Sequence, residues 1–217
     1  MEPGFILLAI LAVGALIAFA IYSSAKRRKE LAAWAQARGL RFSREKVRDM
    51  DDRYPEFKCL RRGRSRYAFN VMTGDLQGLP ITAFDYHYVT GSGKNRRVSH
   101  FSALIAHSPL PLKPLFIRRE HTFDRVTEFL GWDDIDFESA EFSRKFYVTS
   151  PDKRWAFDVI HQQMMEYLLA APKYSLQFDS ANVIAWKSSR FKGPGFDEAL
   201  SLIKGMLDRL PEYLFRK

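Results

Sequence analysis

Asp85, His87 and His100 are the residues in this chain best placed to do chemistry. Residues 81–89 alternate, with Phe84, Tyr86 and Tyr88 on one face and Asp85 and His87 on the other. Residues 98–106 alternate again, with Phe101, Ala103 and Ile105 on one face. If the two runs pair as a hairpin, His87 and His100 share the face opposite the aromatics. Two imidazoles and a carboxylate there are a start for zinc binding or general-base work. No third metal ligand follows from the spacing.

Other patterns carry less. Gly91-Ser92-Gly93-Lys94 has the glycines and lysine of a phosphate loop, but the full pattern needs Gly at position 88 and Ser or Thr at position 95. Those positions hold Tyr88 and Asn95, so the segment reads as the hairpin tip. Asp133, Asp134, Asp136, Glu138 and Glu141 could gather around calcium or magnesium, yet the glycine of a calcium loop is missing. Ile135 and Phe137 alternate inward between them, as in a solvated turn. Cys59 is the one cysteine, so no intrachain disulfide is possible, and it reads as a small apolar residue rather than a reactive thiol. No nucleophile elbow occurs. Nothing in the chain names a reaction, and no cofactor is implied.

The elements that must position these residues begin with the N-terminus. Residues 5–21, FILLAILAVGALIAFAI, contain no charged side chain. As a helix they span about 26 Å, at the short end for crossing a bilayer. Lys26, Arg27, Arg28 and Lys29 follow, and no Lys or Arg precedes. The positive-inside bias then puts the N-terminus outside and the rest in the cytoplasm. A cleaved export signal competes, with Ser23-Ser24-Ala25 as a weak cleavage site, but its positive charge would come before the apolar run. The expected organisation is a transmembrane anchor over 1–24, a basic juxtamembrane helix over 25–39 ending at Gly39, and an α+β domain over 40–217. In that helix the short Leu31, Trp34 and Ala35 stripe either lies on the membrane or packs on the domain, and its shortness favours packing.

The domain is expected to be an antiparallel sheet with helices packed on one side. Residues 40–66 read as basic and irregular, 65–118 as strands, with Pro109, Pro111 and Pro114 breaking them before a short strand at 115–117. Thr122 caps a helix carrying Phe123, Val126, Phe129 and Leu130, closed by Gly131. An acidic connection over 132–142 leads to a strand over 145–149. Ser150-Pro151 then opens one helix with Phe157, Ile160, Met164, Leu168 and Ala171 buried, ended by Pro172. A second hairpin turns at Ser180-Ala181-Asn182. Phe196, Leu200, Ile203, Leu207, Leu210 and Leu214 recur at helical spacing, as core-facing residues do.

The segments FDYHYVTGSGKNRR (84–97), LPLKPLFIRRE (110–120) and DDIDFESAEFSRKF (133–146) resemble a family of uncharacterised bacterial proteins, best over residues 70–147. Such proteins join an N-terminal membrane segment to a domain of unknown function. The resemblance implies a bacterial source and an anchor, and carries over no catalytic or binding residue.

Hydrophobic residues at 47% and aromatics at 14% exclude a disordered chain. Every Lys and Arg lies beyond residue 22, where Glu2 is the only acid left behind, so the body is more basic than the net +9 of the whole. Such charge next to a bilayer points to membrane lipids, or to a membrane protein complex, as partners. The lipid-contact candidates are Lys26, Arg27, Arg28, Lys29, Arg61, Arg62 and Arg64. The function expected is a membrane-tethered interaction or accessory module. The alternatives are an enzyme or a ligand- or metal-binding domain using the Asp85, His87 and His100 face, and a membrane-held nucleic-acid-binding domain. Nucleic acid is disfavoured because no helix-turn-helix, zinc-finger or RNA-recognition signature occurs.

Overall fold

The first helix, α1, runs unbroken over Pro3–Gln36 and so crosses the expected boundary between anchor and juxtamembrane helix. The computed structural model describes residues 3–120, 133–191 and 194–216. Leu8, Leu16, Phe19 and Ile21 on α1 point into open space, each more than 60% exposed. Further along, Leu31 and Ala35 are buried against the domain. Gly39, at φ +69°, closes the helix end. Its N–H bonds to Gln36 O and the N–H of Leu40 to Ala35 O, the paired bonds of a glycine-terminated helix.

The sheet is antiparallel. Strand β1 (Arg41–Ser43) pairs with β2 (Arg64–Leu76), β2 with β3 (Leu79–Thr90), and β3 with β4 (Arg97–Arg119). One edge of β4 carries β3 and then β5 (Phe146–Thr149); the other carries β6 (Ser175–Lys187). The β3–β4 register runs from Ile81 opposite Ala106 to Thr90 opposite Arg97, so the expected hairpin forms and His87 faces His100.

Alternation along these strands separates two cores. On one side Met72, Ile81, Ala83, Leu104 and Ile117 meet the second half of α1 and helices α4 (Lys153–Val159), α5 (Gln162–Ala170) and α6 (Gly195–Leu207). On the other, Phe84, Tyr86, Phe101, Ile105 and Trp186 are covered by Met50, Phe57, Cys59 and Leu60. The chain is thus α+β, with its long apolar helix at the N-terminus and the longer helices on one face of the sheet.

Several local expectations change. The basic stretch 40–66 is not irregular: it contains β1, the short helix α2 (Met50–Arg53) and a 3-10 turn at Lys58–Arg61. Its apolar residues form the lid of the second core while Arg41, Arg44, Arg61 and Arg64 stay exposed. The prolines do not end β4. Pro109, Pro111 and Pro114 fall between Ala106, where pairing with β3 stops, and Phe116, where pairing with β5 starts. An unpaired edge tolerates residues without an N–H.

The hairpin at Ser180-Ala181-Asn182 is also absent. β6 is one strand, and Ser180 at φ 56° absorbs the irregularity that its β4 register shows near Leu112. The helix expected from Ser150-Pro151 is instead two, capped by Asp152, whose side chain accepts from the Trp155 N–H. Its break at Ile160 and His161 turns Phe157 outward, 48% exposed. Within the expected acidic connection, Ala140–Lys145 form helix α3, capped by Ser139. The helix expected after Thr122 lies outside the described residues. The amphipathic C-terminal helix forms over Gly195–Leu207, with Phe196, Leu200 and Ile203 buried.

Candidate functional site

Asp85 is fully buried on the helix side of β3, one residue pair from the histidines. It does not join them. The Arg27 guanidinium reaches in from α1 and binds both carboxylate oxygens, Nε to Oδ2 at 2.8 Å and Nη2 to Oδ1 at 2.6 Å. Arg27 also donates to Phe191 O at 2.9 Å. The Ser102 hydroxyl donates to Asp85 at 2.6 Å and accepts from the Phe191 N–H at 3.0 Å. Asn70, at φ 51° in the bulge of β2, donates to Asp85 at 3.0 Å. Burial works against ionisation of Asp85. The Arg27 hydrogen bonds and charge, with the bonds from Ser102 and Asn70, outweigh it and hold the carboxyl below its ordinary range.

A second clamp holds the C-terminal end of α1. Arg38 binds both oxygens of Asp197 on α6 at 2.8 Å, and the Trp34 indole N–H donates to the same carboxylate at 2.9 Å. Positions 27, 31, 35 and 38 lie on one helical stripe, so Arg27 faces the domain with Leu31 and Ala35. That stripe was the available signal for its role, and its neighbours Lys26, Arg28 and Lys29 point outward and are exposed.

His87 and His100 do meet, Nδ1 to Nε2 at 3.1 Å. Tyr67 stacks on His87 with ring centres 4.4 Å apart, and Phe69 stands edge-on to His100 at 5.9 Å. Desolvation, then the charge of Arg190 and of His87, push His100 down to about 4. Desolvation, then Lys46, Arg96 and Arg190, lower His87 as well. The pair is therefore neutral at physiological pH and sits in a positive field. Among the described residues no group of three or more His, Cys, Asp or Glu is placed to hold a metal. On this face the Asp85 carboxylate is committed to Arg27 and the two imidazoles to each other.

The remaining candidates are dispersed. Arg61 and Arg64 are exposed, and Arg62 lies over the Tyr88 ring at 5.2 Å. Arg62, Tyr88, Arg97 and Ser99 line a polar cleft of about 660 Å³ beside the hairpin tip. Gly91 adopts φ +66° at that tip, and Gly93–Asn95 form a 3-10 turn, so the glycine-lysine segment is a turn between strands. In the acidic stretch, Asp134 accepts from the N–H groups of Ile135 and Val148, and Ile135 and Phe137 are buried.

No family model matches the sequence, and no curated protein matches it. The fold is similar to the crystal structure of the mycobacterial trehalose monomycolate transport factor A. The TM-score is 0.58 at 14% identity, over 83% of this chain and 92% of that one. At that identity the likeness is one of fold.

Proposed function

We propose that this chain is a bacterial membrane-tethered accessory module. Its apolar helix spans the inner membrane with the N-terminus outside, and its basic domain docks on anionic lipid or on a partner in the same membrane. The observation that carries the reading is α1 itself. One helix offers a stretch long and apolar enough to cross a bilayer, none of that window buried, and continues without a break into the domain. The Arg27–Asp85 and Arg38–Asp197 clamps fix the domain to that helix. A domain so held is presented to the membrane on one side. Lys26, Arg28 and Lys29 are exposed just past the apolar run, and Arg44 lies across a shallow cleft from them. Each such cation near an anionic leaflet contributes about 1 kcal/mol. The fold neighbour is named as a trehalose monomycolate transport factor, which is in keeping with an accessory role.

Hydrogen exchange of the full chain in nanodiscs tests this. Phosphatidylglycerol discs should slow exchange in segments 41–48 and 61–66 relative to phosphatidylcholine discs. Salt at about 0.5 M should remove the difference, because screening shortens to a few ångströms. Equal exchange in both discs at low salt would sink the lipid-docking reading and leave a protein partner, sought by in-cell cross-linking.

A further inference from the structure

The helix side of the sheet ends in a group of positively charged side chains around the two histidines, and the acid that acts on them is Asp85. Lys46 lies 4.6 Å and Arg48 5.9 Å from the Tyr67 ring centre, and Arg190 lies 5.5 Å from that of Phe69. Those two rings pack on His87 and His100. Among the described residues Lys46, Arg48 and Arg190 make no ion pair. The neighbouring carboxylate, Asp85, is already bound by Arg27.

The place of this group relative to α1 follows from the strands. Leu40, just past the helix, packs at Gly74, which pairs with Ile81; Arg27 reaches Asp85. Moving back along α1 towards its apolar run therefore moves along β3 from Ile81 to Asp85, and the next pair on that face is His87 and His100. The segment carrying Lys46 and Arg48 starts at Arg44, which borders Ala25, Arg28 and Lys29 of α1. Val98, two residues before His100 on the same face, is 44% exposed. Cations, paired imidazoles, aromatic rings and an exposed valine thus sit together on the side from which the apolar helix leaves the sheet. That combination suits an amphiphile, with a charged head and apolar neighbours.

We propose that Lys46, Arg48 and Arg190, grouped around the His87–His100 pair, bind the phosphate of an anionic phospholipid headgroup. The proposal rests on the membrane-docking function above and names its site. A phosphodiester offers only acceptor oxygens, and all these side chains are donors. In the neutral pair, one imidazole spends its N–H on the other, which leaves a single N–H to point outward. Protonation of the pair frees a second. The charged or titratable groups facing it are Lys46, Arg96, Arg190, Asp85 and Tyr67; all but Asp85, already neutralised, and Tyr67 are cations. A bound phosphate offsets their repulsion of an imidazolium, so binding takes up a proton and strengthens as pH falls.

The test uses the full chain in neutral maltoside micelles. Short-chain phosphatidylglycerol, phosphatidylcholine and inorganic phosphate are titrated in turn, and the imidazole NMR signals are followed. His87→Gln and His100→Gln serve to assign them. Phosphatidylglycerol should shift both signals saturably, and more tightly at about pH 6 than at about pH 7.5. Lys46→Gln with Arg190→Gln should weaken it at least about ten-fold, as loss of two phosphate-facing charges implies. Inorganic phosphate acting as well as the lipid would overturn the headgroup assignment. If phosphatidylglycerol alters exchange near Arg28 and Lys29 but leaves both imidazoles and the double variant unaffected, this site is wrong and the docking function stands. If nothing distinguishes phosphatidylglycerol from phosphatidylcholine anywhere, this site and the lipid-docking reading fail together, and a protein partner is left.

Discussion

Arg27 shows how far one side chain can set a molecule's geometry. Its partner Asp85 is wholly buried, and Arg27 itself is 17% exposed, so neither charge is well solvated once the other is removed. Breaking such a pair costs about 3–5 kcal/mol, whereas the Arg38–Asp197 bridge, with side chains 31% and 33% exposed, is worth about 1 kcal/mol or less. Arg27→Ala should therefore lower the unfolding midpoint of the detergent-solubilised chain far more than Arg38→Ala. Arg27→Ala with Asp85→Ala should cost less than the two single losses added, because neither charge is left alone. Additive losses would mean the two residues do not act as a pair. The histidines act at the same scale with a definite sign. His100 titrates near 4 in the fold against an ordinary value of 6.5. A depressed folded value gives stability that is complete above about pH 6.5 and drains away as pH falls towards 4. The shift corresponds to at most about 3 kcal/mol, which solvent screening of this partly buried pair reduces to about 1 kcal/mol. Melting in lipid-free micelles should show that loss between those pH values, and His100→Gln should flatten it. Burial opposes ionisation of Asp85, but the Arg27 hydrogen bonds and charge hold it below the usual carboxylate range.

Among the elements, those with a clean period were legible from the residues and those with special edges were not. Phe84, Tyr86 and Tyr88 with Phe101, Ala103 and Ile105 indicated a β3–β4 hairpin with its aromatics on one face, and the structure forms it, with Phe84 opposite Ala103 and Tyr86 opposite Phe101. Phe196, Leu200 and Ile203 likewise gave α6 its buried stripe. Ile203→Ala should accordingly cost about 2–5 kcal/mol, read by chemical denaturation, and a loss under about 1 kcal/mol would show that the stripe does not carry the core. Ser180-Ala181-Asn182 has a turn's composition, yet it lies in a strand held on both sides of the irregularity by β4, from Ile117 opposite Leu176 to Ser102 opposite Lys187. The prolines of β4 misled for a related reason: local preference says nothing about which edge has a neighbour. The candidate site was half legible. Strand alternation brought His87 to His100, but the partner of Asp85 lies 58 residues away, and no local pattern links the two beyond the stripe that Arg27 shares with Leu31 and Ala35.

At the scale of the whole molecule, charge and rigidity combine. The apolar half of α1 carries no cation, and its basic half is clamped to the sheet at Arg27 and at Arg38. Under the proposed anchoring, a flexible tether would let the domain tumble beside the bilayer, whereas a continuous helix with two clamps would give it a preferred face. In the proposed topology the same charge asymmetry orients insertion, because Lys and Arg flanking a span stay on the cytoplasmic side. A carboxy-terminal alkaline phosphatase fusion, active only after export, should therefore be silent, and a carboxy-terminal green fluorescent fusion bright. Moving the positive charge should reverse the outcome: Lys26→Gln, Arg28→Gln and Lys29→Gln, with lysines added before residue 5, should raise phosphatase activity. Arg27 is left in place so that the clamp on Asp85 survives and misfolding does not imitate inversion. A strong phosphatase signal from the unaltered chain would place the basic face against the outer leaflet. The docking reading would then need a partner on that side of the membrane, and the cations around His87 and His100 would face a different set of headgroups.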